Sequence, residues 1–192
     1  MKVLGIVGSA RRGGNTEILV KEALASAQEE GAQTELVSVA GPEIAGCDGC
    51  GSCRKTHACH IQDDMQAIYQ QLEAADAIVF GSPVYFGSVT AQMKAIMDRM
   101  YLFLRDRKLK GKVAAPVLAV RRVGAGGTRN LLYGFIMSQG MVPVRCAIGY
   151  GREKGDVWEG VGGAEGSTAL EEARTVGKDL VQMARQLSGQ SA

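Results

Sequence analysis

KVLGIVGSARRGGNTEILVKEALASAQEEG (residues 2–31) contains the unit from which the rest of the chain is built. KVLGIVG (2–8) is a short apolar run with β-branched residues, the pattern of a strand buried on both faces. GSARRGGNT (8–16) is a polar, glycine-rich loop. NTEILVKEALASAQEEG (15–31) carries apolar residues at helical spacing and ends at Gly31, a C-cap signal.

The unit recurs along the chain. TELVSVA (34–40) reads as a second strand, leading into a cysteine-rich loop, and IQDDMQAIYQQLEAA (61–75) as a helix. DAIVFGSP (76–83) is a third strand and SVTAQMKAIMDRMYLFL (88–104) a helix. KVAAPVLAVRRV (112–123) is a fourth strand despite Pro116, followed by a helix in TRNLLYGFIMSQG (128–140). MVPVRCAIGY (141–150) is the fifth strand and STALEEARTVGKDLVQMARQL (167–187) the last helix. Regular alternation predicts an α/β fold with right-handed crossovers: a doubly wound, five-stranded parallel sheet. Its expected order is 2-1-3-4-5, flavodoxin-like, with ligands at the carboxyl ends of the strands. The expectation is a single domain over 1–192, with an inserted cysteine loop at 46–60. The glycine-rich segment 151–166, which contains Trp158, reads either as a flap or subunit contact or as a plain surface loop.

Charge and composition exclude several classes. Formal net charge is +2 with both signs dispersed, and aromatic residues are 5%, so neither a nucleic-acid face nor a base-stacking platform is expected. No apolar run reaches the roughly eighteen residues of a membrane span. Met1-Lys2 leads straight into the first strand without the pattern of a signal peptide, so a cytoplasmic protein with reduced thiols is expected.

GCDGCGSCRKTHAC (46–59) sets Cys47, Cys50, Cys53 and Cys59 in one C-x2-C-x2-C-x5-C run. Core packing does not call for thiols at that density. A compact run can wrap one inorganic centre, as bacterial ferredoxins do for a [4Fe–4S] cluster, although here His60 stands where those carry proline. Gly46, Gly49 and Gly51 are expected to allow positive-φ turns that aim the sulfurs at one point. Structural zinc, disulfides and an empty or transiently redox-active loop are the alternatives. Cys146, in an apolar strand, reads as an ordinary buried thiol.

In the first loop Ser9 and Thr16 offer hydroxyls, Asn15 an amide and Arg11 charge, at the amino end of a helix. That suits a terminal phosphate, and without a Walker or G-x-G-x-x-G pattern a monophosphate such as that of FMN fits best. The alternative is a turn in which Asn15 or Thr16 merely caps the helix. GSPVYFGSVT (81–90) follows the third strand, where Tyr85, Phe86 and Gly87 can set a wall and an open backbone against a flat ring; alternatively the aromatics cover the core edge. VGAGGTRN (123–130), with Gly124, converges on the same edge by topology.

Taken together, GSARRGGNT, GCDGCGSCRKTHAC followed by DDM, and GSPVYFG…AQMKAIMDR resemble the NADPH-dependent FMN reductase-like flavoproteins, and more narrowly the iron–sulfur flavoproteins, over roughly residues 2–145. The resemblance implies a flavodoxin-like fold and non-covalent FMN. It implies that Ser9, Arg11, Asn15 and Thr16 hold the phosphate and that Pro83, Val84, Tyr85, Phe86 and Gly87 line the isoalloxazine. It further implies that Cys47, Cys50, Cys53 and Cys59 ligate a [4Fe–4S] cluster near the flavin in a homodimer or homotetramer. Relatives often carry an acidic residue after the third loop, where this chain has Thr128, Arg129 and Asn130.

Three functions are expected in order. The first is an electron-transfer flavoprotein working with a one-electron carrier such as ferredoxin, its amides at 83–87 and 123–128, Gly124 included, facing the flavin. The second is an NAD(P)H-dependent FMN or quinone reductase, and the third a zinc-knit or redox-sensing binding protein. No side chain is assigned as an acid or base.

Overall fold

The structure is a computed structural model that describes residues 1–157 and 168–189. In chain order the elements are β1 (Lys2–Val7), α1 (Asn15–Glu29), β2 (Gln33–Ser38), α2 (Cys53–Thr56), α3 (Met65–Ala74), β3 (Ala77–Pro83) and α4 (Ala91–Arg99). They continue with α5 (Tyr101–Leu104), β4 (Val113–Val120), α6 (Ala125–Ser138), β5 (Val142–Pro143), β6 (Ala147–Tyr150) and α7 (Ala169–Leu187). The sheet runs β2-β1-β3-β4-β5, with β6 also on β4, and every pairing is parallel. The expected strand order is therefore present.

Alternation along the strands builds two cores. Leu4, Ile6, Ile78, Phe80, Ala114 and Leu118 face α3, α4 and α6, while Val3, Val7, Val79, Val113 and Val117 face α1 and α7. Both faces are covered, which is why the strands read as continuous apolar runs.

The fifth strand differs from its expected form: 141–150 is two short strands separated by Val144, Arg145 and Cys146. The even-numbered carbonyls of β4 point to this edge, since Val142 and Val144 amides reach Lys112 and Ala114 oxygens at 2.8 and 3.0 Å. Odd-numbered groups face β3, as the Val84 amide bonds to the Ala119 oxygen at 2.9 Å. Pro116 therefore turns its nitrogen, which has no proton, toward the fifth strand, and the ladder breaks there. The Val144 carbonyl is taken instead by the Tyr133 hydroxyl at 2.9 Å.

Helix boundaries also move. The expected helix at 88–104 starts later, at Ala91, behind the N-cap Thr90 whose hydroxyl accepts the Met93 amide, and divides at Met100 into α4 and α5. That at 61–75 starts at Met65, behind a turn in which Asp63 accepts the Ala45 and Met65 amides at 2.9 and 3.1 Å. α6 starts at Ala125, three residues before the expected Thr128, behind a left-handed Gly124. Trp158, and most of the 151–166 segment, lie outside the described residues.

Candidate functional site

The first loop is shaped by its own backbone. The Gly8 amide bonds to the Gly81 oxygen at 2.7 Å, and the Ser9 hydroxyl accepts the Arg11 amide at 3.1 Å. Gly13 takes a positive φ of 62°, and its amide reaches a Glu17 carboxylate oxygen at 2.7 Å. Helix α1 begins at Asn15 with Gly14 as N-cap, and no side chain caps it. The capped-turn alternative is thus not what forms. The first-turn amides and the positive dipole end are left facing the loop.

Ser9, Arg11, Asn15 and Thr16 line one cavity of about 260 Å³ together with Pro83, Val84 and Tyr85. Arg121, Arg152 and Lys154 line it too, and none of these was anticipated. Residues 151–157 fold back onto the first loop, and Asn15 fastens them. Its side-chain amide donates to the Glu153 and Asp156 oxygens at 2.8 and 3.3 Å and accepts the Gly155 amide at 2.7 Å. Lys154 and Arg152 follow the fifth strand at the ligand-bearing edge of the sheet, but the intervening Glu153 cancels any local charge signal.

Phe86, Gly87 and Gly124 lie beside this lining, outside it. Tyr85 and Ser88 exchange two backbone hydrogen bonds of 2.9 and 3.0 Å around Phe86 and Gly87, whose φ values are 51° and 76°. Positive φ at both central positions is the mark of a type I′ turn, which asks for Asn or Gly where this chain has Phe. A bulky residue there is strained, and such strain concentrates at functional positions. Phe86 projects fully into solvent at 110% relative exposure, and Tyr85 and Val123 are exposed as well. A Cβ added at Gly124 would lie 2.9 Å from Gly87 Cα and 3.1 Å from Val84 Cγ1, so the third loop backs directly onto the second. Thr128 is spent locally, its hydroxyl bonded to the Gly124 oxygen at 3.1 Å.

All five cysteines are free thiols. Cys47, Cys50, Cys53 and Cys59 line a single cavity of about 550 Å³, and Cys146 is not among its residues. Gly49 and Gly51 have positive φ (71° and 70°); Gly46, contrary to expectation, does not. Burial, and then the thiols of Cys50, Cys59 and Cys47, push Cys53 above the ordinary thiol range. Four soft sulfur donors on the wall of one cavity are the chemistry of a metal centre, although among the described residues the four sulfurs are not drawn to a single point as the glycine turns led one to expect. The two histidines of the loop are paired, His57 with Asp106 at 2.6 Å and His60 with Asp48 at 2.7 Å. Among the described residues it is Asp48, Cys50 and His60 that bring possible ligand atoms within 4.8 Å of one another, a grouping that shares Cys50 with the cysteine run.

Cys146 stands apart, donating to the Ala147 oxygen at 3.5 Å, and burial pushes its thiol up to about 12. Thiolate is the reactive form. Iodoacetamide at pH 8 should therefore alkylate the loop cysteines of metal-free, folded protein and spare Cys146 until denaturant is added. Peptide mapping that finds Cys146 modified at the same rate would contradict this.

A family model described as NADPH-dependent FMN reductase matches residues 1–153. An iron-sulfur flavoprotein of Methanocaldococcus jannaschii is 38% identical over 96% of this chain and 98% of its own. Among solved structures, RosB with its bound intermediate 8-demethyl-8-formylriboflavin-5′-phosphate superposes with a TM-score of 0.77 at 19% identity, covering 98% of this chain and 81% of that one. A WrbA-like flavodoxin from Agrobacterium tumefaciens gives 0.65 at 20% identity over 96% and 97%. At these identities the structural likeness speaks to the fold, which is flavodoxin-like. Among the described residues no helix is long and apolar enough to cross a membrane.

Proposed function

The chain belongs to the NADPH-dependent FMN reductase family, among its iron-sulfur flavoproteins, and on that premise we propose that it is an electron-transfer flavoprotein holding FMN and a [4Fe–4S] cluster. Membership makes it a flavin-dependent oxidoreductase. FMN exchanges electrons in pairs or singly and a cluster exchanges them singly, so together they join a one-electron carrier such as ferredoxin to a two-electron partner.

The observation that carries this reading is the existence of two separate cavities of suitable chemistry, one lined by four cysteines and one at an uncapped helix amino end. Ser9, Arg11, Thr16 and the first-turn amides of α1 hold the phosphate, with Lys154 adding charge. Pro83, Val84, Tyr85, Phe86, Gly87 and Gly124 form the ring side. Cys47, Cys50, Cys53 and Cys59 hold the cluster. Helix α4 runs from the ring loop to the cysteine cavity, and its nine residues span about 13 Å. A single rigid element thus fixes the spacing of the two sites. The exposed Tyr85, Phe86 and Val123 supply apolar surface of the kind a second subunit covers in a homodimer or homotetramer.

Asn15 acts on FMN by fastening the 151–157 loop. Asn15→Ala loses three hydrogen bonds of roughly 0.5–1.5 kcal/mol each, and FMN affinity should fall roughly ten- to a hundredfold. Fluorescence titration of flavin-free protein measures this, and an unchanged dissociation constant would remove Asn15 from the site.

A second reading, an NAD(P)H-dependent FMN or quinone reductase, is favoured by the description of the matching family. Anaerobic rapid mixing separates the two. The electron-carrier reading expects reduced ferredoxin to bleach the bound flavin much faster than NADPH does. Fast bleaching by NADPH that survives loss of the cysteines would favour the reductase.

A further inference from the structure

Arg99 is the last residue of α4, and its side chain is 1% exposed. A buried guanidinium is tolerated only when its charge and its five N–H donors are all answered. Here they are. Nε donates to the Tyr69 hydroxyl at 3.1 Å. Nη1 donates to the Ala45 oxygen at 3.0 Å and to Asp63 Oδ2 at 2.8 Å. Nη2 donates to the Ile61 oxygen at 3.3 Å and to Asp63 Oδ1 at 3.1 Å. Tyr69 is held in turn, its hydroxyl donating to the Arg99 carbonyl at 3.1 Å and its ring meeting Phe103 edge-on at 5.6 Å.

The partners of Arg99 have one thing in common. Ala45 precedes Cys47, and Ile61 and Asp63 follow Cys59, so one side chain joins the two ends of the cysteine loop. Asp63 completes the closure by accepting the Ala45 amide at 2.9 Å. Arg99, Tyr69 and Cys59 line the same cavity, so the buried charge sits at the wall of the four-cysteine site. A bidentate fork is specific to arginine, and lysine can replace its charge but not its geometry.

We propose that Arg99 is a positioning residue that clasps the cysteine loop into a metal-ready shape and fixes a positive charge beside it. It would thereby set both the loop's metal affinity and its readiness to accept an electron. The inference rests on reading the loop as a metal site. The two ends of the loop are joined by the chain's own ion pair. The fixed charge favours whichever state of the site is more negative, the state after one electron has arrived from the carrier.

The test uses full-length, FMN-bound protein stripped of metal under argon and titrated with Co²⁺, read by its thiolate-to-metal absorbance. Arg99→Lys and Asp63→Asn should weaken Co²⁺ binding roughly 10–100-fold, the range for losing an outer partner of a metal ligand, with FMN affinity unchanged. FMN binding reports that each variant folds, and Asp63→Asn reaches the clasp from the loop side if α4 does not tolerate substitution. A structural role alone predicts no dependence on charge, so the midpoint potential of the iron–sulfur centre, in protein purified without oxygen and not treated with Co²⁺, is measured as well. Arg99→Gln should shift it to more negative values, while Arg99→Lys should leave it near wild type. Equal Co²⁺ affinity in all variants, or equal potentials for Arg99→Gln and Arg99→Lys, would overturn the proposal. Wild-type protein that takes no Co²⁺ and holds no iron would overturn the metal reading of the loop itself, a separate and recognisable failure.

Discussion

Cys53→Ser is expected to empty the cysteine loop of iron and sulfide while FMN stays bound. Cys53 opens α2, is half-buried and lines the 550 Å³ cavity with the other three thiols. A serine hydroxyl is harder than a thiolate and stays protonated, so the site falls to three soft ligands. The loss should exceed the roughly 10–100-fold that follows removal of an outer partner of a ligand. The flavin should survive because the two cavities have no lining residue in common. Iron, sulfide and flavin assays on one anaerobic preparation measure this. Loss of flavin together with iron would contradict the two-site arrangement.

Gly177→Ala should destabilise the fold through a single methyl group. Alanine is the better helix former by about 1 kcal/mol, so in isolation the change stabilises α7. At Gly177, however, a Cβ would overlap the backbone oxygen of Ala23 and lie 2.9 Å from the Ala27 nitrogen, both on α1. Backbone cannot rotate away, so α7 must lift from α1, and the cost should be about 3 kcal/mol, the upper part of the overpacking range. For a chain of this size that lowers Tm by roughly 6–12 °C at fixed FMN concentration. Gly134, exposed on α6 with nothing within 4 Å of an added Cβ, is the matched control. There the same substitution should stabilise by up to about 1 kcal/mol. Thermal melts with the same sign at both positions would refute the packing argument.

The parts of the fold legible in the sequence were those that depend on local pattern. Apolar runs bounded by glycine mark strands, and their alternation with helices points to the doubly wound order 2-1-3-4-5, which the sheet has. The break in the fifth strand was illegible because it depends on which neighbour Pro116 faces, a property of register. The division of 88–104 at Met100 was hidden because the apolar pattern continues through α5.

For the site, residue types in loops could be read, but partnerships across the chain could not. The resemblance assigns Asn15 to the phosphate, yet its side chain is taken by carbonyls 138 and 141 positions away. Nothing local marks Arg99, the last residue of AQMKAIMDR, as a buried charge. Its carboxylate partner lies 36 positions earlier, within the DDM that follows the cysteines. Lys154 belongs to a segment that reads only as a glycine-rich loop until it is folded onto the phosphate end.

The central claim is that one chain carries a flavin site and a four-cysteine metal site side by side. Its most direct test is the absorbance spectrum of protein purified without oxygen, with iron, sulfide, zinc and flavin determined on the same sample. The account predicts flavin bands on a broad cluster absorbance, with about four irons and four sulfides per chain. Flavin accompanied by zinc and no iron, held through Asp48, Cys50 and His60, would contradict it.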